Sequence, residues 1–134
     1  MVNSPSTPEI GGRNMSPLDK IFRVEVADIK EHNKSQVVNV DTISGYIGIS
    51  RGYLINILRG RRRGDVSIIV RLCCVLGVSP ETAEEILHAA GYDISIDWSP
   101  SNKEYRAAIA ASSLDECNTH LEAAGTYISG RYRR

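Results

Sequence analysis

The sequence predicts an all-α protein with a five-helix domain followed by two short C-terminal helices. Apolar residues recur at a spacing of three and four residues, which places them on one face of a helix. Most of these stretches begin with a helix-capping residue and end at or near a glycine. The first begins at Ser16-Pro17 and ends near His32. Its apolar stripe consists of Leu18, Ile21, Phe22, Val26 and Ile29.

Two short helices are predicted next, from Asn39 to about Tyr46 and from Arg51 to Arg59. Asn39 and Ser50 are suitable caps, and Gly48 can adopt the positive φ that turns the chain sharply between the helices. The first helix of the pair is too short to stand alone, so it must be held by packing. The inward face of the second helix consists of Leu54, Ile57 and Leu58.

The remaining helices are predicted from their caps. Asp65 precedes a helix from Val66 to Leu76, which is apolar on most sides and is therefore expected to be central. Ser79-Pro80 opens a fifth helix that ends near Ala90. A weakly alternating connector, Tyr92 to Trp98, leads to a helix that begins after Ser101 or Asn102 and ends near Ala111. The last helix begins at the capping box formed by Ser113 and Glu116.

Composition favours a cytoplasmic globular protein. The chain has 134 residues, of which 42% are apolar and 24% charged, as in an ordinary soluble domain. No apolar run approaches the roughly 20 residues of a membrane span. The N-terminus lacks the pattern of a secretory signal. The three cysteines, Cys73, Cys74 and Cys117, do not suit a disulfide framework and are expected to be buried thiols.

Four segments are predicted along the chain. Residues 1–15 form a flexible arm, because they contain prolines and glycines but almost no apolar side chains. Residues 16–90 form the five-helix domain, and residues 91–127 form a helical extension. Residues 128–134 are a basic tail. The segment from Tyr127 onward either contacts DNA or is disordered, and the second alternative is favoured.

The net charge is zero, but the charges are segregated. Residues 42–64 contain five arginines and no acid, whereas residues 65–126 contain ten acids and only three basic residues. A local basic face attracts a phosphate backbone whatever the total charge. An arginine-rich loop that is merely solvated is the alternative, since such a run means little by itself.

The region from Asn39 to Ser79 carries the functional signal. Two short helices flank the turn at Gly48, and the small residue Ser44, four positions earlier, lies where the helices are expected to cross closely. This is the layout of a helix-turn-helix, whose second helix enters the major groove of DNA.

The stretch from Gly48 to Gly60 resembles the turn and recognition helix of lambda-repressor-like, Cro-type domains. The stretch from Asp65 to Ser79 is similar to the fourth helix and the following turn of that family, and the spacing between the two also fits. The resemblance covers residues 18–90. Residues 89–125 resemble, more weakly, the C-terminal extension of small regulators from low-GC Gram-positive bacteria and their phages.

This resemblance implies a role for each matching residue. Base edges would be read from the exposed side of the recognition helix, where arginine pairs with guanine and asparagine with adenine. The base-reading positions are Arg51, Gly52, Tyr53, Ile55 and Asn56. Phosphates would be held at the start of the second helix and in the loop after the third. The phosphate-binding positions are Asn39, Arg59, Arg61, Arg62 and Arg63.

The predicted function is that of a repressor-like transcriptional regulator that binds double-stranded DNA as a homodimer. Residues 91–127 are a candidate surface for a protein partner. The alternative is an antitoxin- or inhibitor-type module that keeps the fold without specific DNA binding. Gly52 and Ile55, which lack polar side chains at base-reading positions, and the acidic C-terminal half favour this alternative. Val40 also departs from the resemblance, because valine cannot make the phosphate contact implied at that position.

No enzyme, metal or cofactor is predicted. His32, His88 and His120 lack metal-ligand spacing and are expected at the surface or at helix ends. The paired acids Glu84-Glu85 and Asp115-Glu116 suit the first turns of helices rather than catalysis. Trp98 is expected to cover the core.

Overall fold

A computed structural model of the chain describes residues 15–93 and 102–134. These residues form helices and no strands, as the all-α prediction requires. In chain order the helices are α1 (Pro17–His32), α2 (Val40–Ile47), α3 (Arg51–Leu58), α4 (Val66–Leu76), α5 (Pro80–Ala89), α6 (Asn102–Ala110) and α7 (Leu114–Ala123). The predictions for residues 1–14 and for the connector beyond Asp93, including Trp98, lie outside the described residues.

The predicted caps explain where the helices begin. The Ser16 hydroxyl accepts a hydrogen bond from the Asp19 amide at 3.1 Å, and the Asp65 carboxylate accepts one from the Ile68 amide at 3.1 Å. Such bonds satisfy amides that have no partner within the helix. The capping box of α7 differs in one detail from the prediction. A capping box would have the Glu116 carboxylate accept from the backbone amide of Ser113, but it accepts from the amide of Ser112 at 3.3 Å.

Helix α4 is the centre of the core, as its composition predicted. Eight of its eleven residues are buried, and it packs against α1, α2, α5 and α6. The three cysteines are buried, free thiols. The core therefore forms around one apolar helix, and its neighbours each contribute one face.

The C-terminal helices are part of the same core. Helices α6 and α7 pack against each other, and α6 also contacts α4 and α5. Tyr105, Ile109 and Leu121 belong to the buried cluster that includes the apolar side of α4. The helical extension is thus joined to the preceding helices by apolar burial.

The prediction that the C-terminal tail is disordered is wrong. Ile128 and Tyr132 are 1% and 3% exposed, and the Tyr132 amide donates to the Val75 carbonyl of α4 at 2.8 Å. Arg134 lies 2.7 Å from the Glu25 carboxylate of α1 and donates to the Leu76 carbonyl at 2.8 Å. Two buried side chains and several tertiary hydrogen bonds hold this segment, a possibility that its basic composition did not indicate.

The longest described helix, α1, has 16 residues. No helix in residues 15–93 or 102–134 combines the length and apolar content that crossing a membrane requires.

Candidate nucleic-acid interface

Helices α2 and α3 are joined by a tight turn. Gly48 has a φ of 93°, a left-handed conformation that glycine adopts without steric cost. Its amide donates to the Ser44 carbonyl at 2.8 Å. The Arg71 guanidinium of α4 donates to the Ile47 carbonyl at 2.6 Å. The end of α2 is therefore fixed both by its own turn and by the central helix.

Ser44 is buried, with 3% of its surface exposed. Its hydroxyl donates to the Asp41 carbonyl at 3.0 Å within the same helix. The side chain thus satisfies its hydrogen-bonding group locally while its small size fits a buried position. The prediction that a small residue is needed at this point of α2 agrees with this burial.

Helix α3 has one buried and one open side. Leu54, Ile57 and Leu58 are 0%, 1% and 4% exposed. Arg51, Gly52 and Arg59 are exposed, and the base-reading candidates Tyr53, Ile55 and Asn56 are partly exposed. An α-helix with its side chains is about 10–12 Å in diameter, which is comparable with the width of the major groove.

Arg51 at the start of α3 is paired with an acid on α2. Its Nε lies 3.0 Å from Oδ1 of Asp41, and the two side chains are 63% and 72% exposed. Sequence reasoning counted no acid in the basic block, because Asp41 lies one residue before it. The only signal for this contact was the position of Asp41 in the first turn of α2.

A groove of about 290 Å³ runs between α1 and α3. Its apolar lining consists of Phe22, Val40, Ile55 and Leu58, and its charged lining consists of Asp19, Arg23, Arg51 and Arg59. Ile55 and Val40, which lack polar groups at positions expected to face DNA, therefore line this groove. Val40 also packs against the core.

Arg23 is an additional cation beside α3 that sequence reasoning missed. It is an exposed residue of α1 and lies 3.5 Å from Asp19, one turn earlier. It lines the same groove as Arg51 and Arg59. Only the packing of α1 beside α3 brings it to this surface, so no local pattern could have identified it.

Most of the candidate phosphate-binding residues are exposed around α2 and α3. Asn39 caps α2 by accepting from the Thr42 amide at 2.9 Å, and it remains exposed. Arg59, Arg61 and Arg62 are exposed at the end of α3 and in the loop that follows. Exposed guanidinium groups beside a helix present the charge and donors that phosphates bind.

Arg63 has a different environment from its neighbours. It donates to the Gly91 carbonyl at 2.7 Å, and its guanidinium carbon lies 4.0 Å from the centre of the Tyr92 ring. The Tyr92 hydroxyl in turn donates to the Gly64 carbonyl. Arg63 thus fastens the loop after α3 to the end of α5, so its phosphate contact would compete with these interactions.

The histidines do not form a joint site. His32 and His88 are exposed in the last turns of α1 and α5. His120 lies 3.0 Å from the Glu104 carboxylate. In the part of the chain that the structure describes, no three histidine, cysteine or acidic side chains are grouped as a metal site requires.

No known family model, curated protein or solved structure matches this chain.

Proposed function

We propose that this chain is a sequence-specific regulator of transcription that binds double-stranded DNA through a lambda-repressor-like helix-turn-helix formed by α2 and α3. In this proposal α3 enters the major groove. Arg51 and Asn56 read base edges there, together with Gly52, Tyr53 and Ile55.

The observation that carries the proposal is the exposure of α3. One side of the helix is buried, while Arg51, Gly52 and Arg59 on the other side are open to solvent. The described C-terminal residues leave these positions exposed. A helix presented in this way, with cations at both ends, has the shape and charge that fit the major groove.

The surrounding cations support the same orientation. Arg61 and Arg62 follow α3 and are exposed, and Asn39 at the N-terminus of α2 is exposed as well. Phosphates on either side of a groove are bound by such groups, which fix the position of the reading helix. We further propose that two copies bind a two-part site, with half-sites about one helical turn apart.

The alternative is a protein-binding module of the same fold. The groove beside α3 favours it, because its lining combines apolar side chains with three arginines and one acid, Asp19. A partner for that groove would present apolar and acidic side chains. DNA binding is preferred because the cations extend beyond the groove to Arg61 and Arg62.

Selection of duplexes from random DNA by the full chain tests the proposal. We expect enrichment of a short motif, and an affinity that falls steeply with salt, by about 0.9 in log–log slope for each phosphate contact. Light scattering of the complex would show two chains per duplex. Weak, unselective retention with a shallow salt slope would instead support the protein-binding alternative.

A further inference from the structure

We infer that Asp41 determines the base preference of α3 by holding the guanidinium of Arg51 in one orientation. This inference rests on the proposed function and adds a residue that does not itself need to contact DNA. Asp41 is therefore assigned as a positioning residue, and Arg51 as the residue that reads the base.

The geometry of the ion pair leads to this assignment. Asp41 and Arg51 lie in the first turns of α2 and α3, on either side of the turn at Gly48. The contact is made by Nε of Arg51, 3.0 Å from Oδ1 of Asp41. The terminal Nη groups carry further N–H donors. Guanine offers two acceptors, O6 and N7, to such a pair of donors in the major groove.

Hydrogen bonds hold the turn between the two helices that carry the pair. The turn is fixed by the Gly48–Ser44 hydrogen bond at 2.8 Å, and Arg71 binds the end of α2 at 2.6 Å. The Ser50 hydroxyl caps α3 by accepting from the Tyr53 amide at 3.1 Å. Because Asp41 lies on a helix held by these bonds, its ion pair limits the rotamers that Arg51 can adopt. An arginine preorganised in this way favours one arrangement of acceptors on the base edge.

An acid near the phosphates has a second consequence. Asp41 is 72% exposed and repels the DNA backbone, which weakens binding to every sequence alike. It also neutralises part of the Arg51 charge, which weakens the attraction of Arg51 to the phosphates of any sequence. Asp41 thus increases discrimination both by improving the cognate contact and by weakening the others.

Asp41→Asn in the full chain tests the inference, with Asp19→Asn as the matched control. Asp19 lines the same groove but pairs with Arg23, so the control makes the same charge change without altering the Arg51 contact. The probes are a duplex selected by the wild-type chain and its derivative with 7-deazaguanine at the position sensitive to Arg51→Ala. An unrelated duplex measures unselective binding.

We expect wild type and Asp19→Asn to prefer guanine by roughly 5- to 150-fold. Asp41→Asn should lower that preference by about threefold or more, while its affinity for the unrelated duplex is equal or higher. In the free protein, the NMR signal of the Arg51 Nε–H should shift in Asp41→Asn and not in Asp19→Asn.

An unchanged preference in Asp41→Asn, or an equal loss in both variants, would overturn the inference and leave the proposed function intact. An unchanged Arg51 Nε–H signal in Asp41→Asn would overturn it as well, without any use of DNA. Failure of the wild-type chain to select any duplex would overturn the proposed function and this inference together.

Discussion

Gly130 lies directly against the ring of Tyr46. A Cβ atom at position 130 would stand 2.5 Å from Cε1 of Tyr46, closer than any such contact allows. The Tyr46 ring is itself packed edge-on against Tyr132, with ring centres 5.6 Å apart. The neighbouring amide of Ser129 donates to the Tyr46 carbonyl at 3.0 Å. The C-terminal tail, residues 128–134, therefore packs closely against the end of α2.

The first prediction concerns this close approach. Gly130→Ala should reduce the free energy of unfolding by about 1–3 kcal/mol, because the added methyl group displaces the tail or the ring. Urea denaturation of the full chain measures this. Gly45→Ala on α2 is the control, since a Cβ there meets no atom within 4 Å, and it should stabilise the helix by up to about 1 kcal/mol. Equal effects of the two substitutions would contradict the packing of the tail.

The second prediction concerns acid stability. Burial of Asp65 raises the pKa of its carboxyl, but hydrogen bonds from Ser67 and the Ile68 amide outweigh it, and the pKa lies below its usual 3.8. A carboxyl whose pKa is lower in the folded state stabilises the protein above its unfolded pKa. That contribution is lost as the pH falls through the folded value.

Asp65→Asn keeps a good cap but does not titrate, so its stability should depend less on pH below about 4. Asp65→Ala should lose about 0.5–2 kcal/mol at pH 7, since it removes the cap. Urea unfolding at a series of pH values checks both. If the stability of the wild-type and Asp65→Asn chains fell equally at low pH, the ionised Asp65 carboxylate would not contribute to acid stability.

The third prediction concerns alkaline stability. Burial, reinforced by Tyr46, raises the pKa of Tyr132 from 10.0 to about 12. The fold therefore favours the neutral phenol, and this stabilisation is present below pH 10 and lost as the pH rises toward 12.

Tyr132→Phe should lose about 0.5–1.5 kcal/mol at pH 7, because its hydroxyl donates to the Val37 carbonyl at 2.9 Å. Its stability should fall less than that of wild type between pH 10 and 12. Denaturation at each pH measures this, and Tyr127→Phe, at a residue that is 61% exposed, should behave as wild type. If Tyr132→Phe lost stability more steeply than wild type between pH 10 and 12, the alkaline loss could not be assigned to ionisation of Tyr132.

The fourth prediction separates two adjacent arginines. Arg62→Ala should weaken binding to all DNA sequences alike and lower the salt slope by about 0.9, with little change in stability. Arg63→Ala should lower stability, because Arg63 packs on Tyr92 and binds the Gly91 carbonyl. Anisotropy titrations with DNA and thermal unfolding of each variant distinguish the two effects. Equal changes in DNA affinity and in stability for the two variants would contradict the separate roles of Arg62 and Arg63.

The fifth prediction concerns base reading by Asn56. Asn56→Ala should relax the preference at one adenine position by about 1–3 kcal/mol. Competition between single-base variants of a selected duplex measures this preference. If the variant lost affinity equally for every duplex, Asn56 would have no base-reading role.

The C-terminal helices illustrate why some relationships were not predictable. The start of α7 follows from a local cap, Ser113, whose hydroxyl accepts from the Glu116 amide at 3.1 Å. The contribution of Tyr105 and Leu121 from these helices to the common core was not indicated by their acidic composition. Removing residues after Gly91 would consequently expose apolar side chains of the core.

The amino-acid sequence alone determined the all-helical fold and where the described helices begin, because caps and apolar spacing act within a few residues. Tertiary packing decided that Asp41 faces Arg51, that Arg63 stacks on Tyr92 and that the tail docks on α2 and α4. These contacts join side chains from different elements, and their geometry depends on how whole helices seat against one another. No local pattern encodes that arrangement, since it is the minimum of the free energy of the complete core.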